Sequence, residues 1–527
     1  MEEAMRIQEK LVAALGDPAR YHHPVDQVEI IETHISHVLL AGDYAYKIKK
    51  PLDLGFLDFG TLEKRRRCCE EELRLNRRLA PDWYLEVVPI TGTPEDPALG
   101  GTGDAIEYAV RMRRFPQESL LDHLLAEGRV DAALVDRIAR TAAAFHARVA
   151  TAGPDTPFGE PERVHFPVRQ NFDQIAPLLE TDAERARLER LRAWAEAAYA
   201  RLEPVLAARK REGYVRECHG DMHLGNMALV DGELVIFDCI EFNENLRWID
   251  VMSEAAFFVM DMEARAHPAL AARFLDTYLT HTGDYAGVAV LRYYQAYRAL
   301  VRAKVARIRL AQPGLDPAEA DDARAQYVAY VALAERYAAP PRPALLLTAG
   351  VAGAGKTTGS EALLHAQDAI RVRSDVERKR LYGLPPEART GSATDQGIYT
   401  PEAHRRTYAR LLELAGEVLD AGLPVVVDAT FLLPEHRAPF RELARRRGIP
   451  FAILAFEAPE AALAARIEMR LRAGADPSEA DVEVMRRQLE RWRPPADDEA
   501  DLVLRFGPGD GPEQVAAAVR AWLGSGA

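Results

Sequence analysis

The sequence predicts two domains: an α+β domain with a small strand-rich lobe and a larger helical lobe, followed by an α/β domain with a parallel sheet. The chain has 527 residues, more than one compact domain usually holds. Strand-like alternation near the N-terminus gives way to long helical patterns. Beyond residue 343, near-continuous apolar runs alternate with helical segments, which is typical of a sheet covered on both faces.

The boundary between the domains is predicted at "APPRP", residues 339–343. Its prolines remove backbone donors and fix the backbone, so the preceding helix cannot continue through them. We therefore expect the first domain over residues 1–338 and the second over residues 344–527.

Composition and charge argue against several classes of protein, including nucleic-acid-binding, membrane-spanning and secreted proteins. The formal net charge of -14 argues against broad electrostatic binding to nucleic acid or anionic membranes. No apolar run approaches the roughly 18 residues of a membrane span, and the N-terminus lacks the basic and apolar regions of a secretory signal. Four cysteines without a C-x-x-C predict reduced thiols and a cytoplasmic location.

The lobes of the first domain follow from its periodicity. Strands are predicted in residues 28–50, in "LEVVPI" and in "AIEYAVRMRRF". Thr61 is placed to cap a helix that continues to about Leu79. Helical patterns then cover most of residues 117–212 and 249–337, which predicts the larger lobe.

The stretch "CHGDMHLGN" carries the chemistry of the first domain. Asp221 and Asn226 have the spacing of the kinase catalytic loop, and Asp238 follows the apolar run "LVIF". Asn226 and Asp238 offer the oxygen ligands that Mg²⁺ prefers, while Asp221 can lie beside an attacking hydroxyl. His219 is predicted to stabilise the loop; His223 is either close to substrate or inert.

This stretch resembles the aminoglycoside phosphotransferase and choline kinase branch of the protein-kinase-like fold, over about residues 25–335. That branch uses H-G-D-x-H-x-x-N followed by an aspartate, and "TAAAFHARV" resembles the helix that precedes its catalytic loop. The resemblance implies a bilobal fold, with Asp221 as the catalytic base and with Asn226 and Asp238 as metal ligands. It also implies that Asp250 stabilises the catalytic loop.

In such a fold a lysine holds the α- and β-phosphates and pairs with a helix glutamate. "YAYKIKK" resembles the strand with this lysine: Lys47 matches best, and Lys49, on the same strand face, stays an alternative. Glu72 is the first choice for the partner, before Glu71. No G-x-G-x-x-G is present, and "ETHISHVLL" is predicted to cover the phosphates, with Ser36 near its tip.

The letters "LDFG" at residues 57–60 spell the metal motif of protein kinases, but their position argues against that role. Asp58 precedes any catalytic loop, whereas the metal aspartate of a kinase follows the catalytic asparagine. We expect Leu57 and Phe59 to anchor the turn into the helix capped by Thr61.

In the second domain "GVAGAGKT" fits the phosphate-binding loop G-x-x-x-x-G-K-[ST], between an apolar strand and a helix. Backbone N–H groups and the helix N-terminus can bind phosphate oxygens. Lys356 can reach the β- and γ-phosphates, and the Thr357 hydroxyl can ligate magnesium. The predicted nucleotide contacts are Gly350, Gly353, Ala354, Gly355, Lys356, Thr357 and Thr358.

Further polar residues follow the next strands. Asp375 and Asp428 are predicted at strand ends, where ligands bind in open α/β sheets. Asp428 is a candidate for magnesium, and Asp375 for accepting a hydroxyl proton, with Arg378 one turn further on. Arg466 and Arg470 share a helix face and could cover the nucleotide. For Arg466 a solvated face is an equal alternative.

These features resemble the P-loop kinases of the polynucleotide kinase, gluconate kinase and zeta-toxin group, over about residues 344–527. The resemblance implies an AAA-type ATP-binding domain with Asp375 as general base and Arg378 as a contact to substrate phosphate. From its helix face, Arg470 is the candidate for stabilising the transferring phosphate.

Together the halves resemble bacterial bifunctional proteins that fuse an aminoglycoside-phosphotransferase-like domain to a P-loop kinase. We therefore expect two modules that use ATP and Mg²⁺ to phosphorylate hydroxyls of small molecules. Two alternatives remain: a polynucleotide 5′-hydroxyl kinase centred on the second domain, or a protein in which one half binds ATP and only regulates. The pattern does not identify the acceptors.

Overall fold

The computed structural model describes residues 2–55, 57–312, 314–340, 342–390, 397–473 and 478–524. Its helices and strands follow one another in the order that the periodicity predicts. The helices are α1 (Glu2–Ala14), α2 (Leu62–Asn76), α3 (Leu121–Ala126), α4 (Ala132–Arg148), α5 (Pro161–Ile175), α6 (Asp182–Arg211), α7 (Glu244–Arg247), α8 (Val251–Ala264), α9 (Pro268–Thr282), α10 (Val288–Leu310), α11 (Pro317–Ala338), α12 (Lys356–Ala366), α13 (Ser374–Arg380), α14 (Pro401–Asp420), α15 (Pro434–Arg447), α16 (Glu460–Ala473), α17 (Val482–Arg491) and α18 (Pro512–Gly524).

Fifteen short strands form four sheets in the part of the chain that the structure describes. The strands are β1 (Val28–Glu32), β2 (Ser36–Ala41), β3 (Tyr44–Lys49), β4 (Tyr84–Thr93), β5 (Asp96–Leu99), β6 (Glu107–Arg113), β7 (Val215–Glu217), β8 (Met227–Val230), β9 (Glu233–Ile236), β10 (Trp248–Asp250), β11 (Leu345–Ala349), β12 (Ile370–Arg373), β13 (Val425–Asp428), β14 (Phe451–Phe456) and β15 (Leu502–Phe506).

The chain divides into two compact units, and each is built from several segments. Unit 1 comprises Met1–Asp131, Arg148–Phe166 and Leu206–Asp261. Unit 2 comprises the remaining segments, which are Ala132–Ala147, Pro167–Val205 and Met262–Ala527.

A six-stranded antiparallel sheet dominates unit 1, with the strand order β1-β2-β3-β6-β4-β5. Alternate residues of its strands, such as Leu39, Tyr46 and Ile90, are buried in one core together with Leu11 and Leu15 at the end of α1. The predicted helix between β3 and β4 is α2, and the Thr61 hydroxyl caps it by accepting from the Lys64 N–H at 3.3 Å.

The loop that holds the catalytic stretch lies between two small antiparallel sheets of unit 1. One pairs β7 with β10, and the other pairs β8 with β9. The strands are only three or four residues long, too short to show a clear alternation in the sequence. Residues 218–226 connect β7 to β8.

Unit 2 contains the predicted parallel sheet, with the strand order β12-β13-β11-β14-β15 and every pair parallel. Strands β11, β13 and β14 are buried at every position, as their near-continuous apolar sequences predict. The helices that follow the strands pack around Leu363, Leu463 and Val515. Helices α9, α10 and α11 belong to the same unit.

Among the described residues, no helix is both long enough and apolar enough to cross a membrane.

Candidate active sites

The catalytic loop of unit 1 brings Asp221 and Asn226 into contact. The Asn226 Nδ2 amide donates to the Asp221 carbonyl oxygen and to Asp221 Oδ2, both at 2.9 Å. The Asp221 side chain is 37% exposed, so a substrate can reach it. His223 lies beside it, with Nε2 at 3.4 Å from Asp221 Oδ2 and Nδ1 accepting from the Gly225 N–H. The structure thus places all three predicted residues together.

His219 stabilises this loop, as the sequence predicts. Its Nδ1 accepts from the Asp221 N–H at 3.2 Å, so the proton lies on Nε2, which donates to the Phe237 carbonyl oxygen at 2.8 Å. Burial lowers the pKa of His219 and keeps the ring neutral. The imidazole therefore joins the catalytic loop to the segment that carries Asp238.

The prediction that Asp250 stabilises the catalytic loop is wrong in its geometry. Both carboxylate oxygens of Asp250 accept from the buried Arg209 guanidinium, and one also accepts from the Met252 N–H. Two other acids, both on α8, contact the loop instead. Glu254 accepts from the N–H groups of residues 219 and 220, and Asp261 accepts from the N–H of residue 224. The sequence holds a signal for them, since they are acidic residues seven apart on one face of a largely apolar helix.

Asp238 lies two residues after β9, in a segment that contacts the catalytic loop through the Phe237 N–H, which donates to the Asn226 carbonyl oxygen at 3.0 Å. Its backbone is left-handed (φ 65°), a conformation that aspartate tolerates better than most residues and that is often found at functional sites. The Asp238 N–H donates to the Tyr84 hydroxyl at 3.2 Å, and its carboxylate forms an ion pair with Lys47.

Lys47 and Lys49 share one glutamate. Glu72 Oε1 lies 2.8 Å from Lys47 Nζ, and Glu72 Oε2 lies 2.6 Å from Lys49 Nζ. Lys49 is fully buried and also pairs with Glu241, three residues after Asp238. Because only Lys47 also contacts Asp238, the geometry favours Lys47 as the lysine that meets the nucleotide.

The protonation of this network follows from its charges. Burial opposes ionisation of Glu72, but Lys47 and Lys49 outweigh it and lower the pKa of Glu72 to about 2. Burial also opposes the charge on Lys47, yet Asp238 and Glu72 raise its pKa well above the usual value. Burial raises the pKa of Glu241. The lysines and Glu72 are therefore ionised at neutral pH.

Two further predicted residues have other surroundings. Glu71, the second choice for the lysine partner, pairs with Arg74 on the surface of α2. Ser36 directly follows the turn at residues 33–35, near the predicted tip, and is the first residue of β2. Its side chain is fully buried, and Thr33 forms hydrogen bonds with its backbone. In this conformation a phosphate cannot reach the Ser36 hydroxyl.

Asp58 is not part of the site around Lys47 and Asp238. Its carboxylate pairs with Lys64 at the surface and accepts from the Gly60 N–H. Leu57 and Phe59 are buried against Cys68, as predicted for residues that anchor the turn.

The phosphate loop of unit 2 joins β11 to α12, in the order that its motif requires. Gly350 needs the absence of a side chain, because a Cβ there would lie 2.4 Å from the Phe456 carbonyl oxygen of β14. Lys356 begins α12, and its Nζ donates to the Val351 carbonyl oxygen at 2.8 Å. The other predicted nucleotide contacts, Gly353, Ala354, Gly355, Thr357 and Thr358, line the same cavity.

Thr357 and Asp428 are in direct contact. The Thr357 hydroxyl donates to Asp428 Oδ2 at 2.8 Å, and the Thr348 hydroxyl, from β11, donates to Asp428 Oδ1 at 3.1 Å. Asp428 is the last residue of β13 and is 5% exposed, so its carboxylate is held firmly at the edge of the cavity.

Asp375 is placed one element later than predicted. Strand β12 ends at Arg373, and Asp375 lies in the first turn of α13. The Arg378 guanidinium lies 3.8 Å from its carboxylate and stacks on the Tyr399 ring, with 4.9 Å to the ring centre. Both residues line the cavity, so the predicted pair is present although the strand is shorter.

The two arginines of the predicted lid have different partners. Arg466 donates to the carbonyl oxygens of Gly353 and Ala354 at 3.3–3.4 Å, directly on the phosphate loop. Arg470 donates to the Ala480 carbonyl oxygen at 2.6 Å. Gln488, on α17, accepts from the N–H of loop residue 352. Sequence reasoning missed Gln488, because a single glutamine on a polar helix carries no distinguishing pattern.

The cavity around this loop has a volume of about 1140 Å³. One wall holds three rings that touch one another, His404, Tyr408 and His436, with centres 4.5–5.0 Å apart. Burial, together with the charges of His436 and Arg378, lowers the pKa of His404 to about 4, so the ring is neutral at pH 7. No local pattern predicts this wall, because its residues come from two separate helices, α14 and α15.

Both sites offer ligands that suit Mg²⁺. In unit 1 these are the oxygens of Asn226 and Asp238, and in unit 2 those of Thr357 and Asp428. Carboxylate, amide and hydroxyl oxygens are hard donors, which this ion prefers over nitrogen or sulfur. The donor sets therefore fit a magnesium ion in each unit.

Comparison with known proteins agrees with this geometry. A model of the phosphotransferase enzyme family matches residues 63–291, and a model of an AAA domain matches residues 345–495. The uncharacterized proteins Rv2004c of Mycobacterium tuberculosis and Mb2027c of Mycobacterium bovis are each 31% identical over 425 residues, which cover 80% of this chain and 82% of theirs. The chain belongs to their family. This chain thus combines two kinase-type domains.

Solved structures also match each part. A choline/ethanolamine kinase family protein from Mesorhizobium loti is 14% identical and covers 63% of this chain and all of its own, with a TM-score of 0.36. A gluconokinase from Sinorhizobium meliloti is 22% identical and covers 35% of this chain and 94% of its own, with a TM-score of 0.25.

The family models confirm the predicted fold class. The protein has an N-terminal α+β domain of the protein-kinase-like type and a C-terminal α/β P-loop domain with a parallel sheet. Both domains belong to kinase families, which imply ATP-dependent phosphotransfer.

Proposed function

We propose that the protein is an ATP-dependent phosphotransferase with two active modules, each of which moves the γ-phosphate of ATP to a hydroxyl of a small molecule. One observation carries the proposal: each half holds a partly exposed aspartate, a pair of oxygen ligands suited to Mg²⁺ and a lysine, and in the second half these residues line one cavity. We further propose that the modules span residues 1–338 and 344–527 and act in the cytoplasm.

In the first module the side chains divide the work of transfer. Lys47 binds the α- and β-phosphates, and Glu72 keeps its ammonium in place. Asp221 orients the acceptor hydroxyl and takes its proton, and Asn226 and Asp238 would hold the metal. When bound there, Mg²⁺ would supply positive charge against the negative charge of the phosphates. Catalysis then rests on positioning and electrostatics, as expected for phosphoryl transfer.

In the second module the phosphate loop holds ATP. Lys356 exchanges its bond to Val351 for the β- and γ-phosphates, and Thr357 and Asp428 would hold the metal. Asp375 accepts the acceptor proton, and Arg378 binds an anionic group of the acceptor. Arg470 would have to break its hydrogen bond to the Ala480 carbonyl oxygen in order to contact the transferring phosphate.

A polynucleotide 5′-hydroxyl kinase is the second candidate for this module. The cationic side chain of Arg378 and the rings of Tyr399 and His404 suit an acceptor with a phosphate and a planar base. The net charge of -14 weighs against long nucleic-acid contacts. Substrate affinity that falls steeply with salt would favour this candidate.

The decisive experiment is a screen of metabolite extracts with γ-labelled ATP on wild type, Asp221→Ala and Lys356→Ala. Products of the first module should vanish only in Asp221→Ala, and products of the second only in Lys356→Ala. Asp58→Ala and Arg446→Ala, which alter surface charges outside both sites, are the matched controls.

Each failure of this screen has a meaning. Loss of all products in only one variant would mean that one half transfers phosphate and the other regulates. Absence of both products and ATP hydrolysis in the wild type would contradict the proposal.

A further inference from the structure

Helix α9 joins the kinase-like module to the phosphate loop inside unit 2. Asp276, on α9, lies within the segment that the phosphotransferase model matches, and Arg371, on β12, lies within the AAA segment. Their side chains form a bidentate ion pair, with Arg371 Nε and Nη2 at 3.2 and 2.6 Å from the two Asp276 oxygens. The two side chains are 7% and 11% exposed, so the pair is nearly excluded from water.

Arg371 carries this contact on to the phosphate loop. Its Nη1 donates to the Thr357 carbonyl oxygen at 3.0 Å, and the Ser360 hydroxyl donates to the same oxygen. Thr357 in turn donates through its hydroxyl to Asp428. A continuous chain of polar contacts thus runs from Asp276 through Arg371 to the two proposed magnesium ligands.

A second set of contacts ties the same helix to the other catalytic elements. Arg273 of α9 pairs with Glu361 of α12, the helix that the phosphate loop opens. At the other end, Arg380 of α13 donates to the Thr280 carbonyl oxygen and packs on Gly283, where a Cβ would lie 2.7 Å from its Nε. Helix α13 also carries Asp375 and Arg378, so α9 contacts the elements on both sides of the site.

Electrostatics explains why the contact matters. Burial opposes the charge on Arg371, but Asp276 raises its pKa, and Asp428 and Glu361 are the next acids that act on it. Without Asp276 the buried guanidinium would lack its main counter-charge. The guanidinium would then be attracted to Asp428, which is a proposed magnesium ligand and accepts a hydrogen bond from Thr357.

We propose that Asp276 is a positioning residue for the P-loop site: it holds Arg371, and Arg371 fixes Thr357 for MgATP. One module therefore supplies a residue on which nucleotide binding by the other depends. The inference rests on the proposed ATP binding at the phosphate loop.

The test is MgATP binding measured by titration calorimetry on the full chain carrying Asp238→Asn, which removes a carboxylate of the first site. Adding Asp276→Asn keeps the shape of the side chain and removes its charge, and should raise the Kd by about 10-fold or more. The Kd for ATP without Mg²⁺ should rise much less, because the chain ends at the metal ligands. Glu335→Gln is the control, since it breaks another bidentate pair of unit 2, with Arg187.

A second variant guards against a general loss of folding. Arg371→Lys keeps the positive charge but cannot bind Asp276 and Thr357 together, so it should also weaken MgATP binding. In the double variant the two effects should not add, because both break one chain. Unchanged Mg²⁺-dependent affinity in Asp276→Asn and Arg371→Lys, or an equal loss in Glu335→Gln, overturns the inference. If the full chain carrying Asp238→Asn does not bind ATP, and adding Lys356→Ala to it changes nothing, the proposed function is overturned as well.

Discussion

At the scale of the residue, the carboxylates of Asp238 and Asp58 have different partners. The Asp238 carboxylate pairs with Lys47, whereas the Asp58 carboxylate pairs with Lys64 of α2 and accepts from the Gly60 N–H. Asp238→Asn keeps the tolerance for a left-handed backbone and removes the charge. Asp238→Asn should lower turnover by the first module about 100-fold or more, because losing a metal ligand costs more activity than losing a residue that only positions a ligand.

Asp58→Asn is the matched control and should leave that turnover unchanged. The measurement is Mg²⁺-dependent transfer of labelled phosphate in a Lys356→Ala background, which isolates the first module. Equal losses in Asp238→Asn and Asp58→Asn would contradict this assignment.

Lys47 and Lys49 should also separate by experiment. Lys49→Met leaves Glu72 and Glu241 buried around a neutral side chain, and removing one partner of a buried ion pair costs about 3–5 kcal/mol. We expect a clear fall in the free energy of unfolding, measured with urea. Lys47→Met should mainly raise the KM for ATP. The reverse outcome would make Lys49 the nucleotide lysine.

At the scale of elements, α8 positions the catalytic loop of the first module. Glu254 accepts from two consecutive loop N–H groups, so Glu254→Gln should misplace Asp221. We expect kcat to fall about 10-fold or more while the KM for ATP changes little, because the phosphates are bound elsewhere. Asp250→Asn, which disturbs a different contact, should spare kcat. A selective rise in KM would contradict the role of α8.

Helix α14 gives the second module a dependence on pH. The pKa of His404 is lowered from 6.5 to about 4, mainly by burial, so between these pH values the unfolded chain binds a proton that the folded chain does not. Stability should therefore fall as pH falls through this window, on the order of 1–2 kcal/mol at about pH 5. His404→Phe should lose less stability than wild type between about pH 7.5 and 5 in urea unfolding. Equal losses would contradict the prediction.

The sequence predicted the elements with strong periodicity and the residues with a fixed local spacing. The parallel sheet, the cap at Thr61, the phosphate loop and the pair of Asp221 and Asn226 follow from neighbours in the chain. The Glu241 pair with Lys49 joins residues 192 apart, and the ring wall joins two helices. Such contacts depend on tertiary packing, which no local pattern encodes.

At the scale of the whole molecule, the proline-rich segment at residues 339–343 does not coincide with the boundary between the two compact units. That segment separates the two family matches in sequence, yet residues 262–338 group with the P-loop part in one compact unit. The ion pair of Asp276 with Arg371 shows one physical cause, since a buried charge on β12 requires a partner on α9.

The positions of the cysteines allow local opening of the protein to be measured by thiol labelling. All four cysteines, Cys68, Cys69, Cys218 and Cys239, are buried and lie in unit 1. Burial raises the pKa of each thiol, so a thiol-specific reagent reacts only when the surrounding structure opens. The rate of labelling therefore reports local opening of unit 1 alone, while unit 2 stays chemically silent. Lys49→Met should accelerate labelling and Asp276→Asn should not; equal acceleration would mean that the units open together.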